Sequence, residues 1–182
     1  MDRPPALLVL RAQTGDRAAF DELLQSVQEA LHRYLRRLTG DPSLADDVLQ
    51  EVFVKVYRKL VWLADPELFR PWIYRIASRE ALRALGRERR WRDQARGDEV
   101  LDEIAAPQEP PPATDVARLV DRASPASRAV LILHYLDDLA LEEVAAILGI
   151  PLGTAKSRLA YGLATLRRHL EEESHATGQT DG

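Results

Sequence analysis

The chain has 182 residues, of which 46% are hydrophobic and 30% charged, and its formal net charge is -4. This length can bury one ordinary core or two small ones, and the composition is that of a globular protein. The absence of cysteine excludes a disulfide framework, a thiolate zinc site and a cysteine nucleophile. Because the four histidines are scattered without a His-x-x-x-His pair, we expect neither a metal site nor a cofactor.

The N-terminal stretch "PPALLVLRAQTGD" contains an apolar run from Ala6 to Leu10. This run is too short for the core of a secretory signal peptide, and no small-residue cleavage site follows it, so we expect it to begin a helix. No apolar segment approaches the roughly 18 residues that a membrane span needs. We therefore expect a cytoplasmic protein without a membrane span of its own.

Ala, Leu, Arg and Glu dominate the sequence, which favours an all-α fold. In the first half, turn signals lie at "TGD" (14–16), "TGDPS" (39–43) and "ADPELFRP" (64–71). These signals predict three or four helices. Asp16 and Ser43 are the expected N-caps, and Pro71 suits a first helical turn.

The segment "DDVLQEVFVKVYRKL", Asp46 to Leu60, has the periodicity of an amphipathic helix. Its predicted inward stripe consists of Val48, Leu49, Val52, Phe53, Val56, Tyr57 and Leu60. The opposite face carries Asp47, Gln50, Glu51, Val54 and Arg58. A solvated surface explains the four polar residues of that face, whereas Val54 also fits a protein contact with an apolar centre.

The following segment is strongly basic, with nine arginines between residues 70 and 96 against three acids, a local charge of +6. Arg75, Arg79 and Arg83 recur every fourth residue and line one side of a predicted helix, where Arg87 joins them. Arginines beside aromatic residues are how proteins follow a phosphate backbone and hold unstacked bases. A charged surface helix with aromatic residues in the core is the alternative.

Residues 97–115 contain six acids, no basic residue and the proline-rich run "APQEPPPAT". Such a composition buries too little apolar surface to order itself, so we predict a flexible linker between two domains. The acids of the linker and of the C-terminal tail explain how a protein with a negative net charge can present two basic surfaces.

After the linker, Ser124 and Pro125 are predicted to open a helix that runs to about Leu136. The segment "LEEVAAILGIPLGTAKSRLAYGLATLRRHL", residues 141–170, then gives two helices joined at a tight glycine corner. Thr154 is the expected cap of the last helix. Its predicted inward stripe is Ala155, Leu159, Leu163, Leu166 and Leu170.

The outward positions near the start of that last helix are Lys156, Ser157, Ala160 and Tyr161. A recognition helix meets base edges with this part, and residues 154–170 contain no acid. We therefore interpret the pair as a helix-turn-helix that binds DNA. A small helical bundle with a solvated charged face is the alternative.

Several of these segments, in this order, resemble one bacterial family. "TGDRAAFDELL", "GDPSLADDVLQEVFVKVYRKL" and "FRPWIYRIASREALRAL" resemble region 2 of sigma-70-type initiation factors, and "SPASRAVLILHYLDDLALEEVAAILGIPLGTAKSRL" resembles region 4 almost throughout. Roughly Leu8 to Leu170 is covered. The chain thus resembles the extracytoplasmic-function (ECF) sigma factors, which retain only these two regions.

The resemblance implies two small helical domains, region 2 over residues 1–96 and region 4 over 116–171, with the linker over 97–115 and a disordered tail over 172–182. It implies three partners: core RNA polymerase, promoter DNA and an anti-sigma factor that grips both domains. It also implies that the linker passes toward the polymerase active-site cleft and RNA exit path. The polymerase, not this chain, performs the chemistry.

Site residues follow from the same resemblance. The clamp helices of the polymerase largest subunit are bound by Asp47, Gln50, Glu51, Val54 and Arg58. The melted minus-ten element is held by Trp72, Arg75, Arg79, Arg83, Arg87 and Arg90. The minus-thirty-five duplex is contacted by His134, Thr154, Lys156, Ser157, Arg158, Ala160 and Tyr161.

The chain departs from the family pattern at two places. Arg79 and Arg83 stand where family members usually have Asn and Asp, and we hypothesise that they strengthen phosphate contact at the expense of base selectivity. In the last helix, Tyr161 stands where an arginine is common, and Gly162 follows, which costs a helix interior about 1 kcal/mol relative to Ala.

Other classes of protein fit the sequence less well. A stand-alone helix-turn-helix regulator would bind duplex DNA without polymerase, but it has no need of the arginine-aromatic helix or of the face around Gln50 and Glu51. An interaction protein, such as an adaptor or an anti-sigma antagonist, needs no acid-free recognition helix. We expect no enzyme, because the sequence has no phosphate loop, no carboxylate pair in an apolar setting and no nucleophile beside a base.

Overall fold

The computed structural model describes residues 6–98 and 120–177, and the side chains of residues 6–90 and 120–171. The described residues form helices and connecting turns with no strand, which confirms the all-α prediction. The α-helices in these ranges are α1 (Ala6–Gln13), α2 (Arg17–Thr39), α3 (Pro42–Lys59), α4 (Phe69–Asp98), α5 (Pro125–Leu131), α6 (Leu141–Leu148) and α7 (Leu152–Thr177). Short 3-10 helices, Leu60–Trp62 and Pro66–Leu68, join α3 to α4, and a π-helical turn, Ile132–Leu136, extends α5.

Two of the four predicted N-caps, Asp16 and Ser124, are confirmed, and two, Ser43 and Thr154, are wrong. Asp16 caps α2, and the Ser124 hydroxyl accepts a hydrogen bond from the first turn of α5. The cap of α3 is Asp41 rather than Ser43, and its carboxylate accepts the backbone N–H of Ser43 at 2.8 Å. The reason is Pro42, which takes the first helical position and so moves the start of α3 two residues ahead of the prediction.

The ends of the long helices also differ from the predictions. Helix α7 begins at Leu152, so Thr154 is its third residue and not its cap. It then continues to Thr177, so residues 172–177 are helical, contrary to the predicted disordered tail, and residues 178–182 lie outside the described part. Helix α4 runs to Asp98, whereas most of the predicted linker, residues 99–115, lies outside the described residues.

The core of the first half is built from the inward faces of α1 to α4. Helix α2 alone buries Leu23, Leu31, Leu35 and Leu38 completely, and α3 contributes Val52 and Val56. Along α3, the predicted inward stripe is confirmed apart from Tyr57, whose side chain is 66% exposed. Tyr57 lies at the edge of the stripe, where it meets the ring of Phe20 edge-on, with centroids 5.4 Å apart.

The second half packs on the first through the same core. Val130, Ile132, Leu133, Val144 and Ile147 belong to one buried apolar cluster with the residues of α2, α3 and α4. Helix α4 contacts both α5 and α6, and α2 contacts α5 and the π-helical turn. The two halves of the described chain therefore meet across an apolar interface.

Helix α7 covers α5 and α6, and its burial decreases along its length. Ala155 is buried, Leu159, Leu163 and Leu166 are half-buried, and Leu170 is 46% exposed, contrary to its predicted inward position. Helix α7 has 26 residues, whereas α5 and α6 have only 7 and 8. The second half of α7 therefore extends beyond both helices and has less to pack against.

Candidate protein and nucleic-acid interfaces

The predicted outward face of α3 is on the surface. Its polar members are all exposed, and the side chain of Val54 is 49% exposed. We call Asp47, Gln50, Glu51, Val54 and Arg58 the α3 face. An apolar residue in the middle of charged neighbours is the composition expected of a protein contact with a small apolar centre.

Three exposed apolar side chains beside the α3 face were missed by the sequence reasoning. Tyr57, Val61 and Trp62 are 66%, 61% and 81% exposed. The 3-10 helix after α3 carries the last two, and Val61 lies seven residues, about two turns, beyond Val54. The sequence contains a signal for this extension, the seven-residue spacing from Val54 to Val61, but Val61 lies beyond the predicted end of the helix at Leu60. These side chains lengthen the apolar part of the surface.

A buried carboxylate joins α3 to α4. Glu80 is 6% exposed and forms ion pairs with Lys55 of α3 and with Arg83, the latter at 2.9 Å. The same lysine lies 3.8 Å from the carboxylate of Glu51 in the α3 face. Buried carboxylates are retained only when paired, so Glu80 fixes the position of α4 relative to the α3 face.

The basic side of α4 is divided by its surroundings. Arg79, Arg83, Arg87 and Arg90 are exposed. Trp72 and Arg75 are half-buried, and the indole of Trp72 lies beside the ring of Phe69, with centroids 6.2 Å apart. One side of the Trp72 indole therefore packs against the core. Of the six residues predicted to hold the minus-ten element, four are exposed to solvent and two are half-buried.

Two arginines of α4 reach the helix-turn-helix. The Arg75 guanidinium donates a hydrogen bond to the backbone carbonyl of Ala146 in α6, and among the described residues its Nε has no hydrogen-bond partner. The Nη2 of Arg79 lies 3.3 Å from the position that a Cβ on Gly149 would take. The contact between these residues of α4 and α6 was not predicted, because it joins positions about 70 residues apart.

The corner of the helix-turn-helix has the expected glycine. Gly149 ends α6 in the left-handed conformation, with φ of 65°, and its N–H bonds back to α6 carbonyls. Ala145 is buried beside it, so α7 approaches α6 closely. The turn is therefore held by a backbone geometry that other residues adopt at a penalty.

The predicted recognition positions are exposed on the first turns of α7. Lys156, Ser157, Ala160 and Tyr161 all face outward, Tyr161 with 71% of its surface exposed. The Ser157 hydroxyl donates to the carbonyl of Gly153 at 2.9 Å. Thr154 and Arg158 are half-buried, so they lie at the border of this surface.

His134 lies in the π-helical turn and is half-buried. Its Nδ1 is 2.8 Å from the carbonyl oxygen of Leu139, and its ring lies beside that of Tyr135, with centroids 4.7 Å apart. The imidazole therefore orders the connection between the turn and α6.

Polar groups are also buried where the two halves meet. Arg128 is 9% exposed, and it donates to the carbonyl of Leu38 at the end of α2 at 3.2 Å and to the carbonyls of Asp121 and Ala123. Burial lowers the pKa of Arg128, an effect that Asp121 opposes. This side chain ties the start of α5 to the end of α2.

Asp137 is a second polar group at this junction, and the residue is half-buried. Burial raises the pKa of its carboxyl, and nearby arginines of the first half oppose that rise. Its Oδ2 has no hydrogen-bond partner within the described part of the chain. In the first half, the hydroxyl of Tyr34 lies 2.8 Å from that of Ser78, and burial raises the pKa of Tyr74 to about 12.

The described residues contain no group of three or more His, Asp or Glu side chains arranged to hold a metal ion. Within the same ranges, no helix has the length and apolarity to cross a membrane.

Comparison with known proteins identifies both halves. Residues 23–92 match the family model of sigma-70 region 2, and residues 121–168 match that of sigma-70 region 4. The ECF RNA polymerase sigma factor SigE of Mycolicibacterium smegmatis is 32% identical over 191 aligned residues, which cover 98% of this chain and 73% of that protein. The chain belongs to the sigma-70 family, within its extracytoplasmic-function group, and it is a sigma factor of RNA polymerase.

Two solved structures are similar to the whole fold. The structure of CnrH in complex with the cytosolic domain of CnrY gives a TM-score of 0.67 at 26% identity, and the match covers 92% of this chain and 97% of CnrH. The sigma factor RpoE of Bartonella quintana, in complex with the anti-sigma factor NepR, gives a TM-score of 0.65 at 23% identity over 84% of this chain and 96% of RpoE. The second likeness concerns the fold alone.

Proposed function

We propose that this sigma factor divides its task among three surfaces: the α3 face binds core polymerase, the basic side of α4 holds the minus-ten strand, and the start of α7 reads the minus-thirty-five duplex. The domains then follow the predicted boundaries, residues 1–96 and 116–171, with 97–115 as the linker. The observation that carries this proposal is the exposure of all five residues of the α3 face on a chain of this family.

The α3 face binds the clamp helices of the polymerase largest subunit. Val54 lies at the centre of the contact and the charged residues form its rim, which is the usual anatomy of a protein interface. Tyr57, Val61 and Trp62 extend the apolar part toward the 3-10 helix. Exposed aromatic and arginine side chains are frequent anchors of binding energy, and Trp62 and Arg58 supply both kinds.

Helix α4 holds the separated minus-ten strand by charge. Arg79, Arg83, Arg87 and Arg90 are exposed along it and can neutralise successive phosphates. Arg83 is paired with Glu80 in the structure, so the Arg83 guanidinium divides its interactions between this carboxylate and the DNA. Phosphate contact dominates over base contact on this helix, in line with the substitution of Arg79 and Arg83 for the usual Asn and Asp.

Helix α7 enters the major groove of the minus-thirty-five element with Lys156, Ser157, Ala160 and Tyr161. The small side chains of Ser157 and Ala160 permit close approach to the bases, and the flexible side chain of Lys156 can reach a guanine edge or a phosphate. Thr154, Arg158 and His134 lie beside this surface and support backbone contact.

The setting of this activity follows from the family. Promoter recognition takes place in the cytoplasm on the chromosome, the polymerase supplies the active site, and this chain performs no catalysis itself. The linker passes toward the active-site cleft. An anti-sigma factor that grips both domains is a further partner implied by the family, and CnrH, a protein of similar fold, was solved in complex with the cytosolic domain of CnrY.

A binding measurement with core polymerase tests the proposal. Val54→Asp places a charge in the apolar centre of the α3 face, and we expect core affinity to fall at least tenfold, about 1.4 kcal/mol. Ala18→Asp is the control, because Ala18 is also exposed and lies in the first turn of α2, where an acid is favourable. Biolayer interferometry with immobilised core gives both affinities. Equal affinities for the two variants would show that the α3 face does not bind polymerase.

A further inference from the structure

Glu80 of α4 is a buried acid that lies between two cations. Its Oε2 is paired with the ammonium group of Lys55 in α3, and its Oε1 accepts a hydrogen bond from the Arg83 guanidinium at 2.9 Å. The Lys55 ammonium also lies 3.8 Å from a carboxylate oxygen of Glu51, which is a longer and weaker approach. Four charges of alternating sign, from Glu51 to Arg83, therefore connect the α3 face with the basic side of α4.

The two cations differ in their freedom to leave the Glu80 carboxylate. The side chain of Arg83 is 66% exposed, whereas that of Lys55 is 34% exposed. Lys55 reaches Glu80 across the contact between α3 and α4, while Arg83 lies three residues after Glu80 on the outer surface of the same helix. Arg83 is therefore the partner that can turn toward a phosphate while Lys55 stays in place.

A buried carboxylate needs a cation beside it at all times. An unpaired charge in the interior has lost its hydration and has gained nothing in exchange, which is strongly unfavourable. With Lys55 in place, Arg83 can leave Glu80, and the carboxylate still has an ionic partner. Without Lys55, the same movement of Arg83 would break the remaining ion pair of the two, so Glu80 would retain Arg83.

We propose that Lys55 is a positioning residue for promoter binding, which neutralises Glu80 and thereby releases Arg83 to contact a phosphate of the minus-ten strand. The inference rests on the proposed function, because it takes Arg83 as one of the arginines that hold this strand. Lys55 acts through Glu80 and needs no contact with DNA itself. The strength of the phosphate contact made by α4 is thus set in part by an ion pair with α3.

The salt dependence of DNA binding tests the role of Lys55. For single strands, each phosphate contact adds about 0.7 to the magnitude of the slope of log affinity against log salt concentration. Fluorescence anisotropy of the full chain with fluorescein-labelled oligothymidine at several salt concentrations gives this slope. We expect its magnitude to fall by about 0.7 in Arg83→Met and by the same amount in Lys55→Met. The double variant Lys55→Met/Arg83→Met should show no further fall, because both changes remove the same contact.

Two further variants separate this effect from the simple loss of a positive charge on α3. Lys59→Met removes an exposed lysine one turn further along the same helix and should leave the slope unchanged. Lys55→Met/Glu80→Gln should restore the slope of the unchanged chain, since no buried carboxylate then holds Arg83. A substitution that merely damaged the packing of α3 on α4 would not be reversed by a second change at Glu80.

The remaining outcomes distinguish the inference from the proposed function. An unchanged slope in Arg83→Met would show that Arg83 does not touch the strand, which overturns both its proposed function and the role of Lys55. A smaller slope in Arg83→Met but not in Lys55→Met overturns the role of Lys55 alone. A smaller slope in Lys55→Met that Glu80→Gln does not restore overturns it as well. If circular dichroism shows that Lys55→Met does not fold, Lys55→Gln takes its place in each comparison.

Discussion

Gly162 lies inside α7, where a glycine weakens a helix by about 1 kcal/mol relative to alanine. The structure gives the reason for its presence. A Cβ at this position would lie 2.8 Å from Cδ1 of Leu131 and 3.4 Å from Cβ of Ser127, so only glycine lets α7 pack this closely on α5. The feature that departs from the family pattern in the sequence is thus a packing requirement of this chain.

Gly162→Ala should lower stability despite the better helix propensity of alanine. Overpacking costs about 1 to 3 kcal/mol, and propensity returns about 1 kcal/mol of it. Gly86→Ala in α4 is the control, because a Cβ there meets nothing within 4 Å, and it should stabilise the protein by about 1 kcal/mol. Urea unfolding followed by circular dichroism measures both. Stabilisation by Gly162→Ala would mean that α7 and α5 are further apart than described.

Asp137 is the residue from which we expect a pH effect. Its pKa is raised by burial above the ordinary value of 3.8, so the folded state binds the proton more tightly than the unfolded state does. Ionisation therefore weakens the folded state as pH rises through the raised pKa, and the stabilising contribution is complete only below the ordinary value. The three arginines Arg33, Arg37 and Arg70 reduce this effect without cancelling it.

Asp137→Asn should consequently raise the melting temperature at pH 7, by a few degrees if the change is about 1 kcal/mol. The advantage over the unchanged protein should shrink as pH falls toward the ordinary carboxyl pKa, since the aspartic acid then becomes neutral as well. Differential scanning fluorimetry across this range provides the measurement. An advantage independent of pH would show that the carboxylate does not carry the effect.

At the level of helices, Arg128 is the side chain that attaches α5 to α2. Arg128→Met keeps the length of the side chain but leaves the carbonyls of Leu38, Asp121 and Ala123 without their donor. We expect a loss of about 2 kcal/mol, the range measured for hydrogen bonds from charged groups. Arg122→Met, at an exposed neighbouring position, should change the unfolding free energy by less than about 0.5 kcal/mol. Equal effects of the two substitutions on the unfolding free energy would show that Arg128 does not attach α5 to α2.

Helix α7 provides a test of DNA recognition. Lys156→Ala should weaken binding to the minus-thirty-five duplex by about 1 to 3 kcal/mol at one base pair if the lysine reads a base, and uniformly across sequences if it touches phosphate only. Arg168→Ala, exposed near the other end of the same helix, removes a charge outside the recognition positions and serves as the control. Electrophoretic mobility shifts at several salt concentrations distinguish the cases. A larger effect of Arg168→Ala would place the DNA contact elsewhere on α7.

Which helix features could be predicted depends on how local their causes are. The α3 face and the recognition positions of α7 follow from a periodicity of 3.6 residues, and the structure exposes them as predicted. The start of α3 was missed because both Asp41 and Ser43 suit an N-cap and the choice depends on Pro42. Tyr57 was misplaced because a residue at the edge of a stripe is buried only if another element covers it.

At the level of the whole molecule, the sequence predicts two helical regions with different binding roles, but it does not predict how the two regions pack against each other. The hydrogen bond from Arg75 to Ala146 and the burial of Arg128 and of the Asp137 Oδ2 atom depend on contacts between distant parts of the chain, which no local pattern encodes. The charge distribution was more informative. A net charge of -4 coexists with basic surfaces on α4 and α7 because the acids lie in residues 97–115, in the tail and on other faces of the helices.

The most direct measurement of the three-surface division is run-off transcription by core polymerase on a library in which both promoter elements are randomised. With the unchanged factor we expect selection at both elements, sharper at minus-thirty-five than at minus-ten, because α4 relies on phosphate contact. Lys156→Ala should flatten the selection at minus-thirty-five and leave that at minus-ten intact. Absence of selective initiation, or a change at minus-ten in place of minus-thirty-five, would contradict the division of promoter recognition between α4 and α7.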